Sequence, residues 1–209
     1  MAYVLGYIFA DGSIYKNPNG YYYLEFTSTD RELIEKVRTL MGSNHKIGFR
    51  KRSAKNPKWK DSYRLQISAR DVRDDLARFG VVQNKSLVME FPEIPRKYFS
   101  HFLRGYFDGD GNVNFGRYWR KDGNIWRWVF TTRFISGSKS FLLGLHKFLA
   151  GVVKGGFIYK KNRGYELTFS THDGFALFDL MYHNTPAEMF LKRKHDIFLK
   201  AFEILNLRA

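Results

Sequence analysis

Hydrophobic and polar residues follow two spacings along the chain, and these spacings predict strands and helices. Period-two alternation between turn-forming residues predicts strands paired as antiparallel hairpins. Apolar residues three or four positions apart, as in Leu33, Val37 and Leu40, predict helices with one buried face. The predicted strands cover residues 13–17, 21–29, 45–52, 62–68, 113–120, 125–135, 156–161 and 165–170. Further helices are predicted over 69–79, 173–181 and 186–205, and another is expected to begin at the capping residue Ser138.

A nine-residue pattern occurs twice, once near the start of the chain and once near its midpoint. Both copies have an apolar residue, any residue, Gly, Tyr, an apolar residue, any residue, a small residue, Asp and Gly. The copies are Val4-Leu5-Gly6-Tyr7-Ile8-Phe9-Ala10-Asp11-Gly12 and Leu103-Arg104-Gly105-Tyr106-Phe107-Asp108-Gly109-Asp110-Gly111. The same order of predicted strands and helices follows each copy, so the sequence predicts an internal duplication.

The duplication predicts an α+β fold of two pseudo-symmetric αββαββα repeats, each with an antiparallel four-stranded sheet. We predict a first repeat over residues 1–82, a linker over 83–95 that contains Pro92 and Pro95, and a second repeat over 96–209. The second repeat ends in a helix that has no full counterpart in the first.

The repeated motif also predicts how the two halves meet. Gly6 and Gly105 occupy the same position inside predicted helices, where glycine costs about 1 kcal/mol relative to alanine. Small residues let helices approach closely, so the two motif helices are expected to pack against each other. Each helix is expected to end at an Asp-Gly pair, with Gly12 and Gly111 in the left-handed conformation that terminates helices.

Parallel packing of the motif helices would bring Asp11 and Asp110 together at the negative ends of two helix dipoles. Two clustered carboxylates repel unless a cation joins them, and their hard oxygen atoms favour Mg²⁺. Metal ions held between two carboxylates activate water and stabilise a leaving oxygen in phosphodiester hydrolysis. A single Asp-Gly pair is usually a turn, but two pairs in matching frames with matching surroundings favour a metal site.

Composition narrows the class of protein. Lys and Arg number 35 against 20 Asp and Glu, and the net charge of +15 favours a polyanionic partner. The chain has no cysteine, which excludes disulfides and thiolate zinc sites, and its six His show no metal-ligand spacing. No apolar run reaches the roughly 20 residues of a membrane span, and no signal peptide is recognisable. We therefore expect an intracellular protein, in a prokaryotic cytoplasm or an organelle, that is neither secreted nor membrane-bound.

At the two motifs the sequence resembles the LAGLIDADG family of homing and intein endonucleases, in its single-chain, two-repeat form. The more specific match is segment 102–111, whereas the first copy has Phe9 where the motif has its first acidic residue. The order of elements in each half is similar to the repeat unit of that family, so the resemblance covers essentially the whole chain.

The resemblance implies an arrangement in which the motif helices form the interface between repeats and the two sheets form a DNA-binding saddle. It implies that Asp11 and Asp110 are catalytic and ligate the metal ions in the minor groove. The main-chain carbonyls of Ala10 and Gly109 are implied as further metal ligands.

The family also uses a basic residue after the third helix of each repeat. The matching segments here are 83–86 and 191–195. Lys85 and Lys194 are therefore the predicted catalytic lysines, with Lys192 as an alternative to Lys194.

Alternate residues of a strand face opposite sides, so the apolar set predicts which side chains face outward. Phe49, Leu65 and Trp128 are expected to face the core, and Lys160 is expected at the position equivalent to Arg50. Arginine can pair with guanine and glutamine with adenine, whereas lysines near turns contact phosphate. A single exposed arginine is usually only solvated, but repetition over four hairpins favours DNA contact. The predicted DNA-binding residues are Lys16, Glu25, Arg50, Arg52, Arg64, Gln66, Tyr118, Arg120, Arg127, Thr131, Arg133, Lys160, Lys161 and Arg163.

Together, the residues and the resemblance predict a site-specific, divalent-metal-dependent endonuclease. It is expected to act as a monomer on a long, non-palindromic double-stranded DNA target and, as the resemblance implies, to leave short 3′ overhangs. Mg²⁺ is the expected cofactor, with Mn²⁺ or Ca²⁺ as substitutes in binding.

Other functions remain compatible with the sequence. The same fold serves an inactive DNA-binding regulator or an RNA maturase that binds intron RNA, and the third alternative is a basic α/β interaction protein with coincidental motifs. Retention of both final aspartates argues against loss of cleavage, because they repel each other without a metal ion. An aromatic content of 18% would by itself suit an RNA-stacking protein equally well.

Overall fold

Two copies of one arrangement of helices and strands make up the structure. A computed structural model describes residues 1–52, 60–68, 72–82 and 85–206. The first repeat contains α1 (Ala2–Asp11), β1 (Gly12–Lys16), β2 (Tyr22–Ser28), α2 (Arg31–Leu40), β3 (Gly48–Arg50), β4 (Ser62–Ser68) and α3 (Arg73–Arg78). The second repeat contains α4 (Arg96–Asp110), β5 (Gly111–Arg120), β6 (Ile125–Ser136), α5 (Lys139–Leu149), β7 (Phe157–Lys161), β8 (Gly164–Phe169), α6 (Thr171–Tyr182) and α7 (Lys192–Ile204). Short 3₁₀ turns lie at Lys85–Leu87 and Ala187–Met189.

Each repeat contains one antiparallel four-stranded sheet, and the two sheets have equivalent strand orders. The orders are β1-β2-β4-β3 and β5-β6-β8-β7. The registers are also equivalent, since Gly12 pairs with Phe26 in one sheet and Gly111 pairs with Phe134 in the other. The predicted α+β fold of two pseudo-symmetric repeats is therefore confirmed.

Amphipathic helices cover the inner face of each sheet. In α2 the buried residues Leu33, Ile34 and Val37 recur at the helical spacing that predicted this element. The start of α5 is also as predicted, because the Ser138 hydroxyl accepts a hydrogen bond from the Phe141 amide at 3.3 Å. The opposite face of each sheet carries polar side chains that are exposed or half-buried, among them Arg64 and Arg133.

Three predicted elements begin at least three residues away from the start that the structure gives them. The final helix begins at Lys192 rather than at residue 186, because extended backbone at Phe190 separates the preceding 3₁₀ turn from α7. Strand β3 has three residues instead of the predicted eight. The helix predicted over 69–79 corresponds to Arg73–Arg78, and residues 69–71 lie outside the described part of the chain.

Two aromatic side chains predicted to be buried are exposed. Phe49 and Trp128 lie on the core side of their sheets, as Leu65 does, but they are 58% and 44% exposed. Phe49 is on an edge strand and packs on the Tyr63 ring, at a centroid distance of 5.4 Å. Trp128 lies where the β5–β6 hairpin extends beyond the core. The alternation of apolar and polar residues correctly predicts the side of the sheet on which each of these side chains lies. It does not predict how much of that side the helices cover.

The β5–β6 hairpin is longer than its counterpart in the first repeat. Its strands have 10 and 12 residues, whereas β1 and β2 have five and seven. We call its exposed end, residues 117–128, the arm. Among the described residues, no helix is long and apolar enough to cross a membrane.

Candidate functional site

The two motif helices, α1 and α4, pack against each other through their glycines, as predicted. A Cβ atom on Gly6 would lie 2.0 Å from the Phe102 carbonyl oxygen, and one on Gly105 would lie 1.9 Å from that of Tyr3. Such distances exclude any side chain, so both positions require glycine. The helices are parallel and in register, and their C-terminal ends therefore coincide.

Gly12 and Gly111, which follow the helices, are required because a side chain would not fit there, and not because the backbone is left-handed. The predicted left-handed geometry is wrong: Gly12 has φ −75° and Gly111 has φ −85°, both extended. A Cβ atom would lie 2.7 Å from Ile8 Cα in the first case and 2.1 Å from the Phe107 ring in the second. Glycine is needed because the chain turns directly from helix to strand against the preceding helical turn.

Asp11 and Asp110 are the last residues of α1 and α4 and lie at the same end of the helix interface. A Cβ atom on Gly109 would lie 2.5 Å from Ala10 Cβ and 3.3 Å from Asp11 Oδ2, so the two helix ends are in contact. Both carboxyls reach the surface, yet the surrounding protein raises the pKa of each by desolvation. Repulsion from Asp11 raises the pKa of Asp110 further.

Two buried lysines lie beside these aspartates. Lys85 and Lys194 are each 5% exposed. The Nζ of Lys85 donates to the Gly12 carbonyl at 2.6 Å, and that of Lys194 donates to the equivalent Gly111 carbonyl at 2.6 Å. Desolvation lowers the pKa of both side chains, that of Lys194 to about 8.

The lysines and aspartates interact across the interface between repeats. Lys194 holds carbonyls of its own repeat, yet it lowers the pKa of Asp11 more than Lys85 does. Lys85 likewise acts more strongly than Lys194 on Asp110. The four side chains therefore form one electrostatic unit. Lys192, the alternative to Lys194, is exposed and pairs with Asp196 at 2.7 Å, so the structure does not bring it to this unit.

The donor set at this helix end suits a hard divalent cation. It offers two carboxylates, and the carbonyls of Ala10 and Gly109 belong to the same converging turns. Among the described residues no cluster of three His, Asp or Glu side chains is present, so a cation here would need main-chain carbonyls, water or phosphate oxygens to complete its shell. The raised carboxyl pKa values indicate an arrangement that a cation would stabilise.

A buried polar network that the sequence did not predict adjoins the site. Arg104 is buried and donates to the carbonyls of Met189 and Met181, at 2.8 and 2.6 Å. Asp108 accepts hydrogen bonds from the Tyr3 hydroxyl at 2.6 Å and the Leu191 amide at 3.0 Å. Burial raises the pKa of Asp108 to about 6. The available signal was the occurrence of Arg104 and Asp108 within the otherwise apolar motif segment 102–109.

The outer face of the first sheet brings together several of the predicted DNA-binding residues. The register places Glu25, Arg64, Gln66 and Arg50 on one face. Glu25 accepts from Gln66 at 2.8 Å and pairs with Arg64 at 2.7 Å, so these side chains form a connected polar group. Arg52 lies just beyond β3 and is exposed. Lys16 is exposed at the end of β1, but its register with Tyr22 places it on the opposite side of the sheet.

The outer face of the second sheet carries most of its predicted set. Thr131, Arg133, Tyr118, Arg127 and Arg120 share this face along β5 and β6. Arg133 lies 3.7 Å from Glu166, and Arg120 is paired with Asp122 at 2.6 Å. Arg163 is exposed in the turn between β7 and β8.

The register corrects one predicted equivalence. Lys161, which pairs with Gly164, occupies the position of Arg50 and lies on the outer face. Lys160 pairs with Tyr165, a partly buried core residue, and lies on the opposite side at the position equivalent to Phe49. Side chains alternate along a strand, so a shift of one residue exchanges the two faces.

Comparison with known proteins identifies this architecture. Residues 1–80 match the family model of the LAGLIDADG-like domain. The whole chain is similar to the meganuclease I-AabMI bound to uncleaved DNA, with a TM-score of 0.64 and 15% identity over 98% of this chain and 90% of that chain. The chain has the two-repeat LAGLIDADG fold, and its first repeat is a LAGLIDADG-like domain. The resemblance seen in the two motifs is thereby confirmed.

Other solved structures with this fold and one sequence relative are also similar to the chain. The homing endonuclease I-SmaMI bound to cleaved DNA gives a TM-score of 0.62 with 15% identity over 98% of this chain and 89% of that chain. I-SmaMI is also known bound to uncleaved DNA in the presence of calcium ions, with a TM-score of 0.59, 12% identity, and coverage of 99% and 90%. In sequence, 117 residues are 30% identical to the DNA-directed RNA polymerase subunit Rpo1C of Methanocaldococcus jannaschii. That match covers 55% of this chain but only 13% of the subunit.

Proposed function

We propose that this LAGLIDADG protein is a site-specific homing endonuclease. It binds a long, non-palindromic duplex as a monomer and hydrolyses one phosphodiester in each strand, leaving short 3′ overhangs. Its acting residues are Asp11, Asp110, Lys85 and Lys194.

One observation carries the proposal: the ends of α1 and α4 place two carboxylates beside two buried lysines. A fold of this size gains nothing from burying two lysines beside two repelling aspartates, since each charge loses its hydration. Perturbed pKa values of both signs within one group of neighbouring side chains are typical of catalytic sites. The group is therefore better explained by chemistry than by stability.

The uncovered faces of the two sheets supply a surface for the DNA. Arg50, Arg64, Arg127, Arg133 and Lys161 face outward on strands, where they can reach base edges or phosphates. The net charge of +15 favours a polyanion over an ordinary protein partner. I-AabMI and I-SmaMI, which share the fold, are both DNA-bound in their structures.

Divalent cations, with Mg²⁺ as the expected one, would be held by Asp11 and Asp110 with the carbonyls of Ala10 and Gly109. When bound, they supply Lewis-acid stabilisation of the phosphate oxygens and lower the pKa of bound water. The calcium-containing complex of I-SmaMI supports divalent cations in this fold.

The lysines would organise the site and stabilise charge. Each Nζ holds a carbonyl at the turn from helix to strand, which fixes the main chain beside the neighbouring aspartate. Each buried ammonium would also stabilise negative charge that develops on a phosphate bound at the aspartates, and such a charge acts more strongly outside bulk water.

A cleavage selection tests the proposal and finds the target sequence in the same experiment. The purified chain is incubated with a library of randomised duplexes in Mg²⁺, and cut molecules are captured by ligation to their new ends and sequenced. We expect enrichment of one long asymmetric sequence with cuts in both strands. EDTA is expected to abolish the enrichment.

The same library separates the alternatives. Sequence-specific binding without cleavage in Mg²⁺ or Mn²⁺ would refute the endonuclease and favour a DNA-binding regulator. Absence of duplex binding at low salt would refute any DNA function and favour the unrelated interaction protein.

A further inference from the structure

Asp108 occupies a position in the second motif helix that Phe9 occupies in the first. Phe9 packs in the core against Phe102 and Phe141, whereas Asp108 is a buried carboxylate 1% exposed. Burying a carboxylate costs free energy unless its hydrogen bonds are satisfied. Asp108 therefore calls for an explanation that its counterpart does not.

The contacts of Asp108 lead directly to Lys194. Its Oδ2 accepts from the main-chain amide of Leu191 at 3.0 Å, and Leu191 is the residue that precedes α7. The Leu191 carbonyl in turn accepts from the Lys194 amide at 3.0 Å. Lys194 lies in this first turn of α7, with its Nζ on the carbonyls of Phe107, Asp108 and Gly111.

The first repeat also holds this carboxylate and the segment beside it. The Tyr3 hydroxyl of α1 donates to the same Oδ2 at 2.6 Å, and the Lys36 Nζ of α2 donates to the Phe190 carbonyl at 2.7 Å. Arg104 adds a bond to the Met189 carbonyl. The start of α7 is thus fixed to both repeats, with Asp108 as the shared acceptor.

The other lysine is held differently. Lys85 lies on a 3₁₀ turn rather than on a helix, and the position equivalent to Asp108 is apolar Phe9. The Asp108 contacts support Lys194 but not Lys85, so they act on only one half of the proposed active site.

We propose that Asp108 is a positioning residue for Lys194, acting through the Leu191 amide, and that it sets the cleavage rate of one DNA strand more than that of the other. This inference rests on the proposed endonuclease function and adds an asymmetry between its two halves. Asp108 itself need not touch DNA or metal ions.

The substitution pair Asp108→Ala and Asp108→Asn tests the mechanism of positioning. Both observed hydrogen bonds end on one oxygen, Oδ2, so the amide oxygen of Asn can accept both. Alanine removes the acceptor and leaves the Leu191 amide and the Tyr3 hydroxyl without it. Both variants lose the negative charge of Asp108, but only Asp108→Ala also loses the hydrogen-bond acceptor.

Strand-resolved kinetics supply the readout. A duplex obtained from the cleavage selection carries a different fluorophore on each strand, and the two single-strand cleavage rates are measured at saturating enzyme. We expect Asp108→Ala to slow one strand about tenfold relative to the other, with accumulation of nicked duplex. The slowed strand should be the one that Lys194→Met slows, not the one that Lys85→Met slows. Asp108→Asn should restore most of the strand ratio.

Leu149→Ala is the control for general destabilisation, because Leu149 is a fully buried core residue of α5. It should leave the ratio of the two strand rates unchanged. Equal slowing of both strands by Asp108→Ala, or failure of Asn to restore the ratio, would overturn the proposal.

Hydrogen exchange provides a measurement that does not depend on cleavage. Asp108→Ala should increase amide exchange over residues 190–196 relative to wild type, and Asp108→Asn should not. Unchanged exchange in the alanine variant would overturn the positioning role even for a chain that cleaves no DNA. A cleavage-inactive wild type with the expected exchange pattern would refute the proposed function while leaving the structural link to Lys194 intact.

Discussion

Lys194 shows how far the role of a single residue could be predicted from the sequence. Its place after the third helix of the second repeat, together with the family resemblance, predicted a functional lysine but did not decide against Lys192. Packing makes the distinction, because Lys194 is buried with three carbonyl acceptors while the Lys192 side chain is 75% exposed. Asp108 and Arg104 were missed because their partners, including Tyr3 and Leu191, are 77 to 105 positions away in sequence.

Substitutions can distinguish the roles of Lys194 and Lys192. Lys194→Met should reduce the rate of DNA cleavage by about 10²-fold or more, because it removes a buried cation beside the reacting phosphates. Lys192→Met removes the same charge from the surface and should leave the rate within about twofold. Rates are measured on the selected duplex in Mg²⁺. Equal losses in both variants would assign the role to general charge rather than to Lys194.

At the scale of elements, the two spacings predicted every hairpin and the order of the helices. They failed where the outcome depends on distant packing. Strand β3 has three residues instead of eight, and α7 starts late because the chain is extended at Phe190. The glycines after the motif helices were predicted correctly as helix ends but for the wrong reason, since the constraint is contact with Ile8 and Phe107 rather than positive φ.

The interface between α1 and α4 should not tolerate even the methyl group of alanine in place of its glycines. Gly105→Ala places Cβ against the Tyr3 main chain. We expect the free energy of unfolding to fall by about 1–3 kcal/mol. Gly151→Ala is the matched control, because no atom lies within 4 Å of its added Cβ. It should change stability by no more than about 0.5 kcal/mol. Denaturant unfolding checks both, and a neutral Gly105→Ala would contradict the close packing of α1 and α4.

The arm allows a test of which sheet face meets DNA. Arg127 and Arg117 lie on the same hairpin but on opposite faces, since Arg127 pairs with Tyr118 and Arg117 with Trp128. Arg127→Ala should weaken binding of the selected duplex by about tenfold, the loss of one side-chain contact. Arg117→Ala makes the same charge change and should have an effect of no more than about twofold. Fluorescence anisotropy in Ca²⁺ measures both, and equal effects would show that charge alone governs binding.

For the whole molecule, duplication in the sequence predicted the pseudo-symmetry, and the net charge of +15 predicted a polyanionic partner. The asymmetry could not be predicted in the same way. A long β5–β6 hairpin, an added α7 and the Asp108 network occur in the second repeat without equivalents among the described residues of the first. An asymmetric protein on one chain is suited to an asymmetric DNA target, because its two binding faces need not be the same.

The central claim is that Asp11 and Asp110 together hold the cations that cleave DNA. Double-strand cleavage of the selected duplex by Asp11→Asn and Asp110→Asn, measured in Mg²⁺ beside binding of the same duplex, tests it most directly. Each variant should lose double-strand cleavage while its affinity for the duplex stays within about threefold of wild type, since the substitution leaves the predicted DNA-contacting side chains unchanged. Wild-type rates of double-strand cleavage in either variant would contradict the claim.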